Sequence, residues 1–258
     1  MYYSHRQLQQ FVVVIGPAGC GKTTLVGSFG RWIEKNQQRE VGYVNLDPGV
    51  EYLPYKPDID AREYVTVEGT MRKYKLGPNG GLIKSIDELL NYSDEIIEKA
   101  KGLSQDIILV DTPGQMELFL FRKTGPYFIE AFSNIGTVVS VLVFDPTLAY
   151  RPSDVVSLKL MTMVVDFRLG VENILAINKI DAVRESPMVE LFDNQEALGR
   201  FLEKEKGVLP EVAGEIFKVM NKYGLARRIA KVSALTGEGM NELYDLLHEV
   251  YCTCGDLT

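Results

Sequence analysis

The chain has 258 residues, 46 % of them hydrophobic and 24 % charged, and 35 acidic against 28 basic side chains give a formal net charge of −7. That balance argues against a broad nucleic-acid-binding surface, no apolar run approaches the roughly 18 residues of a membrane span, and three cysteines are too few for a disulfide framework. The amino-terminal stretch "MYYSHRQLQQ" lacks the apolar segment of a signal peptide, so a cytoplasmic location is expected, with no direct nucleic-acid or membrane contact.

Apolar runs and helical patterns alternate along the chain. "FVVVI" (11–15) reads as a buried strand and "LVGSFGRWIEKN" after it as a helix. Further strands are expected at "VGYVNL" (41–46), "DIILV" (106–110), "TVVSVLVF" (137–144), "ENILAIN" (172–178) and "RRIAKVS" (227–233). Continuous β-branched runs suit strands covered on both faces, and their alternation with helices predicts βαβ units in a mostly parallel sheet. The expected fold class is α/β, a mostly parallel sheet flanked by helices, with helical insertions; the phosphate loop described next makes it a P-loop NTPase fold. One domain over 1–258 is expected. An insertion at 48–105 carries a capping-box pattern, "DARE" (60–63), a Gly-Pro-Asn-Gly-Gly loop and a helix near 83–101. A second, helical insertion is expected at 183–224. Leu76, Leu82 and Ile83 flank the Gly-rich stretch and are expected to pin its base to a core.

Chemistry concentrates where strands end. "GPAGCGKTT" (16–24) fits the G-x-x-x-x-G-K-[ST] phosphate loop directly after a strand and before a helix. Gly16 and Gly21 let backbone N–H groups turn toward phosphate oxygens. Gly19, Cys20, Gly21, Lys22, Thr23 and Thr24 are expected to line the nucleotide. Lys22 is expected to reach the β and γ phosphates, and Thr23 to offer its hydroxyl to Mg²⁺. "DTPGQ" (111–115) on its own is a turn after a strand. Behind a phosphate loop it makes Asp111 the second Mg²⁺ residue, Gly114 an N–H donor to the γ-phosphate and Gln115 a water-orienting group. "NLDPG" (45–49) reads either as an Asp-Pro turn or as a carboxylate, Asp47, that contacts Mg²⁺ or positions the attacking water.

"NKID" (178–181) has the spacing of a guanine reader. The Asp181 carboxylate accepts from the guanine N1–H and N2 amino groups. Adenine offers neither, and leaving a carboxylate without donors is costly. Asn178 bridges base and phosphate loop, and the Lys179 stem covers the ring. "SAL" (233–235) puts the Ala234 N–H in reach of guanine O6. GTP is the expected nucleotide.

Phosphate loop, "NLDPG", "GPNGG", "DTPGQ", "NKID" and "SAL" in this order resemble the GPN-loop GTPases over nearly the whole chain, and an archaeal-type member more than a eukaryotic one. The resemblance implies a homodimeric Mg²⁺-dependent GTPase acting as a switch or assembly factor. Asn79, in Gly77-Pro78-Asn79, would complete the partner's active site. The implied catalytic set is Asp47, Asn79, Gln115 and Lys22. By the same resemblance eukaryotic relatives serve RNA polymerase assembly, which implies a protein client, with an RNA polymerase related one as the candidate. Some ATPases of the wider superfamily carry a second lysine where this chain has Pro17, so slow intrinsic hydrolysis is expected.

Two other readings share the phosphate loop. A phosphotransferase would need an acceptor pocket with clustered arginines and no guanine reader. A metal-insertion GTPase would need His/Cys ligands, and the chain offers His5, His248 and the pair Cys252 and Cys254. Glu117 reads as a helix residue or a faint catalytic candidate. Met161 and Met163, in "LKLMTMVVDF" (158–167), read as core packing or as an apolar groove between insertion helices that grips a client.

Overall fold

The computed structural model describes residues 9–184, 186–222 and 229–255. His5 and the side chains of Cys252 and Cys254 lie outside the described residues. A seven-stranded sheet runs through the molecule: β1 (Gln9–Ile15), β2 (Val41–Asn45), β3 (Ile59–Asp60), β4 (Ile107–Asp111), β5 (Gly136–Phe144), β6 (Asn173–Ile177) and β7 (Ile229–Lys231). The order is β3-β2-β4-β1-β5-β6-β7, and every pairing is parallel. The α/β class with a mostly parallel sheet is what the strand pattern predicts. The two-residue β3 has no pattern of its own and appears only because Ile59 and Asp60 pair with Val44 and Asn45.

All five residues of β2, of β4 and of β6 are buried, which explains their unbroken apolar sequences. Alternate residues of β1 feed two cores. Phe11, Val13 and Ile15 enter one with Phe119, Phe128 and Phe132. Val12 and Val14 enter the other with Leu25, Phe29, Ile33, Leu243 and Leu247. Phe11 stacks on Phe132 with ring centroids 4.7 Å apart. Each such side chain, fully buried, contributes about 1.5–3 kcal/mol.

Helices cover both faces. α1 (Lys22–Gln37) and α11 (Met240–Gly255) sandwich Trp32, whose ring lies 6.3 Å from Phe29 and 5.8 Å from Tyr244. Between β2 and β4 come α2 (Val67–Tyr74), α3 (Pro78–Leu89) and α4 (Ser93–Lys101). Then follow α5 (Met116–Leu120), α6 (Thr124–Ser133) and α7 (Pro152–Leu169). Between β6 and β7 lie α8 (Pro187–Leu191), α9 (Gln195–Leu202) and α10 (Val208–Lys222).

Four local readings need correction. The Asp of "DARE" is a cap, but of a single 3-10 turn: Asp60 accepts from the Arg62 N–H at 3.0 Å, and the helix proper starts later, capped by Thr66. The helix expected at 83–101 is two helices, broken at a 3-10 turn over Leu90–Tyr92 where Ser93 Oγ donates to the Leu90 carbonyl. Gly-Pro-Asn is no loop but a helix start, with Gly77 at the N-cap and Pro78 at the first position of α3. A residue with fixed φ and no N–H suits that position. Gly81 lets α2 and α3 meet, because a Cβ there would sit 2.3 Å from Met71 Cγ. Leu76 and Ile83 are not sunk in a core. Each is 36 % exposed, and Asn79 is exposed between them.

On α7, Met161 is half-buried against the first core and Met163 half-buried, while Leu160 and Phe167 face outward. The apolar run therefore serves both packing and surface.

Candidate functional site

Register brings the site together. Asn45 and Val14 both lie opposite Asp111 in the sheet. The segments after β1, β2 and β4 thus leave from one carboxyl edge, beside the point where the strand order reverses about β1. Ligands of open α/β sheets bind in such a crevice.

Between β1 and α1 the backbone turns with φ of +77° at Gly19 and +92° at Gly21. Gly21 caps α1 in the left-handed conformation, and a Cβ on it would fall 2.6 Å from Asn178 Nδ2. No other residue type fits without strain. Cys20 is buried, which pushes its thiol pKa up against the opposing pull of Lys22. Lys22 is only 5 % exposed. Its ammonium donates to the carbonyls of Gly16 (2.8 Å), Pro17 (3.1 Å) and Gly114 (2.9 Å). It therefore ties the phosphate loop to the segment after β4.

Asp111 is fully buried. Its Oδ2 accepts from the Tyr55 hydroxyl at 2.9 Å, and its Oδ1 has no hydrogen-bond partner among the described residues. Burial pushes its pKa up to about 6, against the opposing effect of the Thr23 and Tyr55 hydroxyls and of Lys22. A buried carboxylate oxygen without a donor, with a threonine hydroxyl beside it, is chemistry a hard divalent cation would complete. The residues present fit Mg²⁺.

Asp47 is also buried, and burial raises its pKa, while the N–H groups of Gly49 (2.8 Å) and Gly114 (3.0 Å) pull it back. The Gly114 N–H, expected on a phosphate, is thus held here by Asp47. Asn45 fixes the Asp47 backbone through both amide groups, at 3.0 and 3.1 Å. Its Nδ2 also donates to Asp60 at 2.9 Å, and Arg62 grips Asp60 in turn. Gln115 is half-buried at the N-cap of α5 and makes no capping bond. Glu117 is exposed. Asn79 stands apart: its side chain has no hydrogen-bond partner among the described residues. Its helix nevertheless reaches the site, since Leu82 Cδ1 and Asp47 Oδ1 both lie against Gly49.

A second pocket, of about 230 Å³, is lined by Gly21, Thr24, Asn178, Lys179, Asp181, Ala182, Ala234 and Leu235. Asn178 Nδ2 donates to the Cys20 carbonyl at 2.9 Å and its Oδ1 accepts from the Ala234 N–H at 2.9 Å. The N–H expected on guanine O6 is therefore engaged with Asn178. Lys179 takes a left-handed backbone, φ +61°, and its ammonium bonds the Gly19 carbonyl at 2.8 Å and Asp145 at 2.7 Å. Asp181 Oδ1 accepts from Ser233 Oγ at 2.6 Å.

The sequence reading overlooked Tyr55, Arg62 and Asp145. Burial alone would raise the Asp145 pKa, but Lys179 and the Thr147 donors outweigh it and hold the carboxyl below its usual range. A signal for Asp145 was present: "FDP" (144–146) repeats, at the end of β5, the strand-then-Asp-Pro pattern of "LDP" (46–48). Tyr55 and Arg62 carry no such signal. Among the described residues, no group of three or more His, Cys, Asp and Glu side chains forms a metal cluster.

Comparison with known proteins finds a family described as "conserved hypothetical ATP binding protein", whose profile matches residues 14–253. A GPN-loop GTPase of Pyrococcus abyssi is 40 % identical over 252 residues, covering 96 % of this chain and 99 % of that protein. GPN-loop GTPase 1 of Dictyostelium discoideum is 29 % identical over 237 residues, 91 % of this chain but 59 % of its own length. The crystal structure of a GTPase in apo form from Pyrococcus abyssi superposes with a TM-score of 0.86 at 38 % identity, covering 95 % of this chain and 98 % of that one.

Proposed function

This chain belongs to the GPN-loop GTPases, GTP-hydrolysing enzymes of the P-loop fold, and from that premise we propose that it is a dimeric, Mg²⁺-dependent GTPase whose Gly-Pro-Asn segment completes the active site of a second copy. The observation that carries the nucleotide choice is the Asn178 bridge. It locks the Ala234 segment to the phosphate loop and so fixes Asp181 in a pocket adjoining the phosphate crevice. The family description speaks of ATP, but a carboxylate lining a base pocket favours guanine, whose edge supplies two donors to it.

The reaction converts GTP and water to GDP and phosphate. Lys22 exchanges its carbonyl partners for β- and γ-phosphate oxygens, which releases Gly114 from the phosphate loop. The Gly114 N–H then turns from Asp47 toward the γ-phosphate. Asp47, freed of that donor, and Gln115 orient the attacking water. Thr23 and Asp111 would hold Mg²⁺, which supplies positive charge against the phosphate oxygens when bound. Positioning and charge compensation carry most of phosphoryl transfer, so no strong base is needed. Pro17 adds no cation, and turnover by the isolated enzyme is slow.

Asn79 of the partner subunit supplies a neutral carboxamide that orients the water or the γ-phosphate. Two observations support this. The side chain is exposed on a stiff helix start, and apolar Leu76 and Ile83 beside it are left uncovered. The switch role rests on contact between α3 and the Asp47 segment at Gly49. A protein client, RNA polymerase related by the family resemblance, would dock at the hollow of about 810 Å³ along α9 and α10, where the exposed Val208 and Val212 stand among Glu203, Glu211 and Glu215.

A mixed dimer tests the proposal. One subunit carries Lys22→Ala and the other Asn79→Ala, with different tags so that the heterodimer can be isolated. Action across the dimer restores one complete site, and hydrolysis returns toward half of wild type. Activity that stays at the level of the mutant homodimers places Asn79 within its own subunit. Normal hydrolysis by Asn79→Ala alone removes it from catalysis.

A further inference from the structure

Outside the residues that touch nucleotide, one side chain reaches into the heart of the phosphate crevice. Tyr55 lies in the segment between β2 and β3, and its hydroxyl donates to Asp111 Oδ2 at 2.9 Å. The other oxygen of the same carboxylate is buried and bare. We propose that Tyr55 is a positioning residue of the metal site: it takes one oxygen of Asp111 and thereby presents the other toward Thr23, where a divalent cation binds. The inference rests on the assignment of Asp111 and Thr23 as the metal residues.

The physical argument is one of orientation. A carboxylate on a single χ2 rotor turns freely unless something holds it. Among the described residues no backbone N–H donates to either Asp111 oxygen, so side chains set the rotor: the phenol holds Oδ2 at 2.9 Å, and the Thr23 hydroxyl is the polar neighbour on the other side. Partners that hold a metal ligand from behind commonly set metal affinity by 10- to 100-fold. The phenol is itself held. Its ring stacks on Tyr43, centroids 5.0 Å apart and 18° from parallel. Pro54, just before it, accepts from Arg31 of α1 at 2.8 Å. The Asp58 N–H donates to the Tyr43 carbonyl at 2.8 Å, and the Asp58 carboxylate accepts from the Tyr43 N–H at 2.8 Å. At the start of the segment, Arg62 holds the Val50 carbonyl at 3.2 Å. The strand of chain from Val50 to Asp58 is thus strapped over α1 and β2 with Tyr55 as its inward peg. Asp47, the proposed water-positioning group, lies three residues before this strap, so metal and water-positioning groups share one support.

Tyr55→Phe keeps the ring on Tyr43 and removes only the hydroxyl. The test is equilibrium binding of a fluorescent, non-hydrolysable GTP analogue, titrated with Mg²⁺ and repeated in EDTA. The expected result is a rise of about 10- to 100-fold in the Mg²⁺ concentration at half effect, with affinity in EDTA unchanged. An unchanged Mg²⁺ response overturns the inference. So does an equal loss of affinity with and without Mg²⁺, which assigns Tyr55 to holding the strap alone. Asp111→Asn, run alongside, abolishes the Mg²⁺ response. If it does not, the metal assignment has failed and the role of Tyr55 falls with it. A response lost in Asp111→Asn but intact in Tyr55→Phe rejects only the latter.

Discussion

At the base end of the crevice, Asn178, Lys179 and Asp181 are all bonded to neighbouring protein groups at 2.6–2.9 Å, and a pocket stands open between them. At the phosphate end, the protein's own polar groups satisfy one another across two loops. Lys22 bonds three carbonyls, Asp47 holds Gly114, and Asp111 keeps one oxygen bare. The first region is built before ligand arrives, so binding there costs little rearrangement. On the proposed reading the second must exchange partners, which is what a switch requires: two arrangements close in free energy, biased by a ligand. The base pocket would then anchor GTP and GDP alike, while the phosphate end would distinguish them.

The sharpest break in this contrast comes from Asp111→Asn. In the folded protein the Asp111 carboxyl titrates near 6, against 3.8 for the unperturbed group. Between those values the folded chain keeps a proton that the unfolded chain has released. Stability of the nucleotide-free protein therefore falls as pH rises through this window, by up to about 3 kcal/mol. The amide variant removes that penalty. Chemical denaturation should show it more stable than the parent above pH 6, by an amount that fades toward pH 4. A gain that does not vary with pH would mean the phosphate end carries no such strain.

Gly21→Ala strikes both regions at once. The left-handed backbone and the close approach to Asn178 Nδ2 make the expected cost about 1–3 kcal/mol in stability. GTP and GDP affinity should fall together, because the Asn178 bridge to Cys20 is displaced. Unequal losses measured for the two nucleotides would show that the base end is less independent than its bonding implies.

Asp145→Asn is the mildest. It weakens the grip on Lys179 by about 1 kcal/mol and should speed dissociation of GTP and GDP equally, without moving the Mg²⁺ dependence. Stopped-flow release of a fluorescent nucleotide reads this directly, and a change confined to GTP would contradict the division of labour.

How much of this is legible in the sequence follows from how local each feature is. The phosphate loop and "NKID" are contiguous, and each sits behind a strand whose apolar run announces it, so their residues meet where the register of β1, β4 and β6 puts them. Gly-Pro-Asn reads as a turn because its residues are turn formers. It starts a helix because Gly81 lets α3 dock on α2 at Met71, a contact no local pattern encodes. Leu76 and Ile83 are expected in a core on hydrophobicity alone, but among the described residues their covering is incomplete and each stays 36 % exposed. Tyr55 and Asp60 act through partners far off in the chain, Asp111 and Asn45, and Arg62 acts only through its grip on Asp60, so single-residue chemistry does not point to them. Asp145 was within reach, for "FDP" repeats "LDP" at a neighbouring strand end.

The Asn178 bridge has a consequence for how the protein comes into being. Its amide joins residue 20 to residue 234, across most of the sequence. Contacts of such separation close late, after the entropy of a long loop has been overcome. While the chain emerges from the ribosome, the phosphate loop is made early but its base pocket has no far wall. On the proposed reading, guanine nucleotide can brace the fold only after the strand before Ala234 has docked, so the nascent protein must hold its sheet together without its ligand, and a truncation upstream of β7 leaves Asp181 and Asn178 without the Ser233 and Ala234 side of their pocket.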